Sequence, residues 1–251
     1  MFKVGFRSYV TKSDMEMAKN ADIEVVEVMW EDKTRERADE VKGLLKDYGI
    51  KPSAMVIYPQ RDLKEFRQDI AFAESIKCPV YVGHPAPLKA SDMESIKEFK
   101  KFWTSACKVA GEKGIRVSVH SCGLNPESWD IMFNAVPELG LKYDPSFTYQ
   151  GGRNIRMELL KYGEKICHVH AKDEMLIERT TDFANGILHF KYAPAGMGDI
   201  HWGSVIALLY EVGYKGDIAI EPHSDYWCSS EEARRRGIIL AKRHLEQFIA
   251  N

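Results

Sequence analysis

The sequence has little of what marks membrane-spanning or nucleic-acid-binding chains. No apolar run reaches the roughly 18–20 residues that a membrane-spanning helix needs. The 35 basic and 37 acidic residues leave a net charge of −2, so the charge balance favours neither nucleic acid nor a membrane surface as a partner. The first twenty residues are charged throughout and lack the apolar segment of a secretory signal, and a cytoplasmic location is expected.

Cysteine is scarce, and no two cysteines have the Cys-x-x-Cys spacing of a zinc–thiolate site. The five cysteines predict reduced thiols in a reducing compartment, because an odd number does not form a complete disulfide framework. A glycine-rich phosphate loop after an early strand is also missing. That absence argues against a doubly wound nucleotide-binding sheet.

The chain does contain eight short apolar runs, separated by polar stretches that favour helices. Near-continuous apolar runs of this length are typical of strands buried on both faces of a parallel sheet. The runs span 2–9, 23–30, 53–59, 78–84, 115–122, 140–146, 166–172 and 216–223. This alternation predicts an α/β fold, a (β/α)₈ TIM barrel that forms a single domain over residues 1–251.

Helix boundaries can also be predicted. Helical patterns span 32–48, 61–76 and 91–113, and the last begins with a capping box formed by Ser91 and Glu94. Glycine recurs where a helical pattern gives way to a strand, as expected for a left-handed residue after a helix end. These glycines are Gly49, Gly114, Gly163 and Gly213.

One interval breaks the pattern, a long loop at about 173–202 after strand seven. It lacks helical periodicity and contains an Asn-Gly pair, a proline and further glycines. Long loops in compact domains are usually functional, so a lid or binding loop is expected. Phe183, Phe190, Tyr192 and Trp202 would give this loop a core of its own.

The candidate functional residues lie at strand ends, because the active site of such a barrel lies at the C-terminal face. Strands four to eight end in His84, His120, Asp144, His170 and Glu221. Buried imidazoles and carboxylates that converge are costly unless they are paired. A divalent metal would satisfy them, and mixed nitrogen and oxygen ligands suit Mn²⁺, Co²⁺, Zn²⁺ or Fe²⁺ and, less well, Mg²⁺.

Strand alternation separates ligands from their neighbours. His170 is closer to the barrel mouth than His168, so His170 is the expected ligand and His168 a supporting or structural residue. His223 follows Glu221 in the next loop and is expected to contact substrate, as is His84. Glu27 lies mid-strand and is expected to pair with a basic residue such as Arg7.

Four segments resemble a known family: 142–146, 168–173, 194–202 and 213–223. They are similar to the sugar phosphate isomerase/epimerase family of the xylose isomerase-like TIM barrel superfamily, specifically over about 115–225 and only as a general pattern over 1–114. The resemblance implies one divalent metal, Mn²⁺ being favoured over Co²⁺, Mg²⁺ and Zn²⁺. The implied ligands are His120, Asp144, His170 and Glu221.

Two positions depart from the family pattern. His120 stands where the family has a glutamate, and Phe147 stands where its epimerases often have a histidine. The family's two glutamates are thought to act as two bases, so Glu221 and His120 are the candidate catalytic residues here, with His120 acting as base or only as ligand. The candidate substrate contacts are His84, Phe147, Lys172, His223 and Trp30.

Several functions stay open. The favoured one is a metal-dependent isomerase or epimerase that removes a proton α to the carbonyl of a keto-sugar. The alternative is a lyase that eliminates the aglycone from a 3-keto-glycoside, C- or O-linked, with or without a partner subunit. A DNA-repair nuclease would need more ligands for three zinc ions, and a non-catalytic binding subunit is a further reading. The expected partners are a small carbohydrate and further copies of the chain.

Overall fold

The eight predicted strands are present and close into one barrel. The computed structural model describes residues 2–179 and 188–250, and its barrel strands are β1 (Val4–Ser8), β2 (Val25–Met29), β3 (Lys51–Val56), β4 (Val80–Gly83), β5 (Arg116–His120), β6 (Gly140–Tyr143), β7 (Ile166–Ala171) and β10 (Ile218–Ile220). They are hydrogen-bonded in parallel in the order β1–β10–β7–β6–β5–β4–β3–β2. The prediction of a single (β/α)₈ barrel is confirmed.

Helices cover the outside of the barrel. They are α1 (Lys12–Asn20), α2 (Asp32–Arg35), α3 (Ala38–Tyr48), α4 (Leu63–Ser75), α5 (Met93–Gly111), α6 (Pro126–Ala135), α7 (Pro145–Gln150), α8 (Ile155–Tyr162), α9 (Trp202–Glu211) and α10 (Glu231–Glu246). Large side chains such as Trp129, Trp202 and Phe66 are fully buried between helices and strands. Within the described residues, none of these helices has the length and apolar character to span a bilayer.

Most predicted helix boundaries are correct, but two are wrong, and the single helix predicted over 32–48 is divided into α2 and α3. Gly49, Gly114 and Gly213 have the left-handed backbone expected after a helix, with φ of 67°, 69° and 70°. Gly163 instead has φ of −50° and begins a short 3₁₀ turn that leads into β7. Helix α5 is capped by Asp92, whose Oδ1 accepts from the backbone N–H of Ser95, and not by a capping box at Ser91.

The interval predicted to be an irregular loop contains an antiparallel hairpin. Its strands are β8 (Asp173–Arg179) and β9 (Leu188–Ala193), paired from Asp173↔Ala193 outward. The hairpin follows β7 at the barrel mouth, and its role as a lid or binding loop stays a prediction. Phe183, one of the aromatic residues expected to pack within this interval, lies outside the described residues.

Asp173 fixes this hairpin to the barrel. Its buried carboxylate accepts from the backbone N–H groups of Glu174, Gly196 and Ile200, at 2.8, 2.9 and 3.0 Å, and from Nε1 of Trp202 at 3.0 Å. The two oxygens of a carboxylate accept about four hydrogen bonds in all, and these four donors occupy those positions on Asp173. Asp173 therefore organises the loop.

We expect Asp173→Asn to lower the free energy of unfolding by about 2–3 kcal/mol, because the amide turns an –NH₂ group toward donors that lose their acceptor. Urea unfolding measures the change. Asp47→Asn on the exposed side of α3 is the control, and it should change stability by less than about 0.5 kcal/mol. Equal effects of the two substitutions would contradict the role given to Asp173.

Candidate active site

Three ligand-type atoms converge at the C-terminal mouth of the barrel. Asp144 follows β6, His170 belongs to β7, and Glu221 follows β10. His170 Nδ1 lies 3.2 Å from Glu221 Oε2 and 3.6 Å from Asp144 Oδ2. The other carboxylate oxygen of Asp144 accepts from the N–H and hydroxyl of Ser146, at 3.0 and 2.7 Å, which fixes the direction of Oδ2.

The chemistry of these atoms fits a divalent cation. Asp144 Oδ2 and His170 Nδ1 are buried and have no hydrogen-bond partner within the described residues. Together with a Glu221 oxygen they place one nitrogen and two carboxylate oxygens within 4.8 Å of one another. Three protein ligands of this kind leave coordination positions open for substrate.

Glu27 orients His170 from inside the barrel. Its carboxylate lies 2.8 Å from Nε2 of His170, 2.9 Å from Nε2 of His168 and 3.0 Å from Nζ of Lys142, and all four side chains are fully buried. A carboxylate that accepts from Nε2–H leaves the lone pair of Nδ1 available for a metal ion. Glu27, His168 and His170 also form a ligand-like group. We interpret it as the support of the candidate metal site, because Lys142 and the two imidazoles already satisfy Glu27.

Glu27 pairs with a basic residue as predicted, but Arg7 is not that residue. Lys142 is the cation that meets Glu27, whereas Arg7 pairs with Oε1 of Glu221. Lys172 Nζ adds contacts of 3.1 Å to Glu221 Oε2 and 3.2 Å to Asp144 Oδ2. Burial alone would raise the pKa of Glu221, but the charges of His170 and Lys172 hold it well below its usual range. Glu221 is therefore ionised at neutral pH.

Metal binding should depend on pH through His170. Burial lowers the pKa of His170, but the nearby carboxylates, Glu27 above all, outweigh burial and raise it to about 9. An incoming ion must then displace the proton on Nδ1. We expect about one proton to be released per ion at pH 7, and the metal Kd to rise about tenfold for each pH unit below 9. Calorimetry of Mn²⁺ binding in buffers of different ionisation enthalpy measures both, and a Kd that is constant with pH would contradict the expectation.

Aromatic side chains form one wall beside the candidate metal site. The His84 ring stacks between Tyr58 and His120, with centroid distances of 4.2 and 4.4 Å. Phe147 meets the edge of His120 at 5.9 Å, and Lys172 Nζ lies 4.0 Å from the Phe147 ring centroid. The carbon atoms of the rings make this wall apolar, and the imidazole nitrogens of His84 and His120 are its polar groups.

An open cavity of about 1130 Å³ adjoins the opposite side. It lies between the hairpin and the loop after β10. Its lining includes Arg7, Tyr9, Phe190, Tyr192, His223 and Arg234. Arg7 contacts Glu221, and Tyr192 packs on His223 at 4.4 Å, so two residues of the lining connect the cavity to the candidate metal site.

The family model described as xylose isomerase-like TIM barrel matches residues 15–244. The chain belongs to the xylose isomerase-like TIM barrel family. An inosose dehydratase from Yersinia enterocolitica is 28% identical to this chain over 137 residues. The match covers 49% of this chain and only 46% of the dehydratase.

Solved structures agree with the family assignment. A crystal structure of IOLI protein with a bound zinc atom has a TM-score of 0.74 at 20% identity and covers 100% of both chains. D-allulose 3-epimerase from Methylomonas sp. has a TM-score of 0.73 at 14% identity, covering 99% of this chain and 98% of that one. At these identities the likeness shows the xylose isomerase-like fold.

In this xylose isomerase-like barrel, the mouth brings together all but one of the residues singled out from the sequence. They are His84, His120, Asp144, Phe147, His170, Lys172, Glu221 and His223. Lys172 is buried against the two carboxylates, and His223 is half exposed with Nδ1 3.9 Å from Glu221 Oε1. His120 is at the mouth but outside the group of three ligand atoms.

Trp30 is the exception, and the expected contact with substrate is corrected. The ring is 3% exposed, stacks on Phe72 at 3.9 Å and donates from Nε1 to Asp69 at 2.8 Å. Because side chains alternate along β2, the inward Glu27 and Met29 put Trp30 on the outer face, among the helices.

Sequence reasoning missed Lys142 and Glu174, and it named Arg7 only as a partner of Glu27. Arg7 and Lys142 lie mid-strand, and the alternation that was applied to His168 and His170 could have placed both inside the barrel. Glu174 lies in β8, which was not predicted as a strand. Its side chain is buried, Gln150 Nε2 donates to it at 2.7 Å, and burial raises its pKa to about 8.

Proposed function

We propose that this protein is a divalent-metal-dependent enzyme that removes a proton α to the carbonyl of a keto-sugar or a related cyclic ketone. The observation that carries this proposal is the convergence of Asp144 Oδ2, His170 Nδ1 and Glu221 Oε2, one imidazole nitrogen and two carboxylate oxygens that are buried together at the barrel mouth. A bound divalent ion supplies Lewis acidity to a substrate carbonyl. Mn²⁺ is the proposed ion, with Zn²⁺, Co²⁺ and Mg²⁺ as comparisons.

Glu221 is the proposed base. Against the effect of burial, the charges of His170 and Lys172 lower its pKa and keep the carboxylate ionised, so it can accept a proton from a carbon atom at neutral pH. Lys172, which contacts both Asp144 and Glu221, is the cation proposed to stabilise the negative charge that grows on the substrate as the proton leaves. Phe147 and Tyr192 flank Lys172 and exclude water from this side.

The favoured reaction is isomerisation or epimerisation. It is supported by the fold shared with a D-allulose 3-epimerase and by polar groups on two sides of the centre, a carboxylate on one side and ring nitrogens on the other. The five free thiols, all within the described residues, also support the proposed cytoplasmic location.

Elimination is the second candidate, and the size of the cavity favours it. Ligand pockets usually measure about 300–1,000 Å³, and a monosaccharide fills only a small part of such a volume. The cavity of about 1130 Å³ has room for a sugar with an attached aglycone. The partial match to an inosose dehydratase, an enzyme named for an elimination, points the same way.

Incubation in D₂O with Mn²⁺ tests the proposal. Keto-sugars and 3-keto-glycosides are supplied separately, and products are followed by mass spectrometry and NMR. Deuterium at the α carbon with a change of configuration or carbonyl position supports an isomerase or epimerase, whereas release of the aglycone supports a lyase. If metal-loaded protein neither exchanges deuterium into any of these substrates nor consumes one, the proposed function is wrong.

A further inference from the structure

Two neutral imidazoles at the barrel mouth have ring nitrogens without an assigned role. His84 and His120 stack on each other with centroids 4.4 Å apart, and both Nε2 atoms are buried with no hydrogen-bond partner among the residues described. A buried polar atom without a partner costs about 1–3 kcal/mol, so such atoms indicate a missing ligand. Which ligand fits depends on where each ring carries its proton.

The proton of His120 is on Nε2. The backbone N–H of Cys122 points at His120 Nδ1 at 2.7 Å, and an N–H group can only donate. Nδ1 therefore accepts, and a neutral ring then carries its hydrogen on Nε2. Burial, together with the charge of Lys142, holds the pKa of His120 well below its usual range, which agrees with a neutral ring.

His84 has the opposite tautomer. Its Nδ1 lies 3.0 Å from the carbonyl oxygen of Ile57, and a carbonyl oxygen can only accept. Nδ1 therefore donates, and Nε2 keeps its lone pair. Burial lowers the pKa of His84 to about 4, so Nε2 stays unprotonated at neutral pH.

We propose that His120 and His84 form a donor–acceptor pair that binds two neighbouring substrate oxygens, a carbonyl and the hydroxyl beside it. His120 Nε2–H donates to the carbonyl oxygen, and His84 Nε2 accepts from the hydroxyl. The backbone groups of Cys122 and Ile57 fix this direction. The inference takes the substrate carbonyl from the proposed function. It adds a hydroxyl group on the neighbouring carbon, so the substrates are α-hydroxy ketones.

This assignment changes the role expected for His120. With Nδ1 occupied and a hydrogen on Nε2, the neutral ring has no free lone pair, so it is neither a metal ligand nor a base. As a proton leaves the α carbon for Glu221, negative charge grows on the carbonyl oxygen. A fixed N–H donor next to that oxygen stabilises the charge.

Two substitutions at His120 separate the roles. His120→Gln keeps an N–H donor at about the position of Nε2, whereas His120→Glu offers only acceptors but restores the family's ligand and base. We expect the glutamine variant to retain kcat/KM within about tenfold and the glutamate variant to lose about 100-fold or more. The metal Kd of the glutamine variant should change less than about threefold. Higher activity of the glutamate variant, or lost metal binding in the glutamine variant, would overturn the assignment.

A substitution at His84 tests the acceptor. His84→Asn keeps a donor for the Ile57 carbonyl and removes the Nε2 lone pair. The native enzyme should prefer a hydroxy ketone over its deoxy analogue by about 10- to 100-fold in KM, and His84→Asn should abolish this preference with little change in kcat. A preference that persists in His84→Asn overturns the role of His84.

The tautomers can be measured without any substrate. Long-range ¹H–¹⁵N spectra of histidine-labelled native protein distinguish the protonated ring nitrogen from the unprotonated one. We expect His120 to be protonated on Nε2 and His84 on Nδ1, both neutral at pH 7. Other tautomers would overturn the inference even in an active enzyme. The expected tautomers in a protein that turns over no ketone would show instead that the proposed function had failed.

Discussion

Asp144→Asn is expected to weaken metal binding at least 100-fold and to lower kcat by about 10³-fold or more, because Lewis-acid stabilisation supplies several kcal/mol. The substitution is nearly isosteric. An asparagine oxygen can still cap α7 by accepting from Ser146, so the fold should persist. What is lost is the anionic oxygen that faces His170 and Lys172. Metal titration and turnover in the presence of excess Mn²⁺ measure the two effects.

The matched control is Asp130→Asn, the same change at an exposed carboxylate that pairs with Lys161. We expect native metal affinity and activity for the control. Circular dichroism and thermal unfolding verify that both variants are folded. Full activity of folded Asp144→Asn at limiting Mn²⁺ would rule out Asp144 as a ligand.

Glu27→Gln is expected to lower the free energy of unfolding by about 3–5 kcal/mol. Glu27 and Lys142 are both completely buried, and the substitution leaves the ammonium of Lys142 without its counter-charge. A surface ion pair is worth far less, so Glu24→Gln, which breaks the exposed pair with Lys3, should cost less than about 1 kcal/mol. Guanidinium unfolding of both variants measures the difference.

A second substitution identifies the cause. Adding Lys142→Met to Glu27→Gln removes the stranded charge, and we expect it to restore at least half of the lost stability. Metal affinity should remain weakened in the double variant, because His170 has lost the carboxylate that orients it. A double variant as unstable as Glu27→Gln alone would show that the Lys142 charge is not the source of the loss.

The barrel could be predicted from the sequence because its strands are buried on both faces. Each predicted range overlaps an observed strand. Short continuous apolar runs such as 23–30 are typical of strands that are buried on both faces of a parallel sheet. The hairpin could not be predicted in the same way. It is a two-stranded ribbon with exposed apolar residues, Leu176 at 43% and Ile177 at 60%. Its apolar and polar residues therefore do not alternate in the way that would indicate a strand with one buried face.

The candidate site was predictable in its location but not in its pairings. Strand ends gave Asp144, His170 and Glu221, because all parallel strands end at the same face. The pairing of Glu27 with Lys142 joins β2 to β6 across the barrel, and a sequence pattern does not specify which two inward residues meet. Trp30 shows that a strand end alone does not tell which side of the wall a residue faces.

Two consecutive residues fix the start of the hairpin, and this has a consequence for evolution and engineering. Directly after β7, Lys172 contacts the carboxylates and Asp173 secures the hairpin, so these two positions must stay in register with the barrel. The cavity is lined farther along the hairpin, by Phe190, Lys191 and Tyr192. Exchanging the segment between Glu174 and Tyr192 is therefore expected to alter the substrate range without changing the residues at the barrel mouth. Substrate range and reaction chemistry can then evolve separately within one domain.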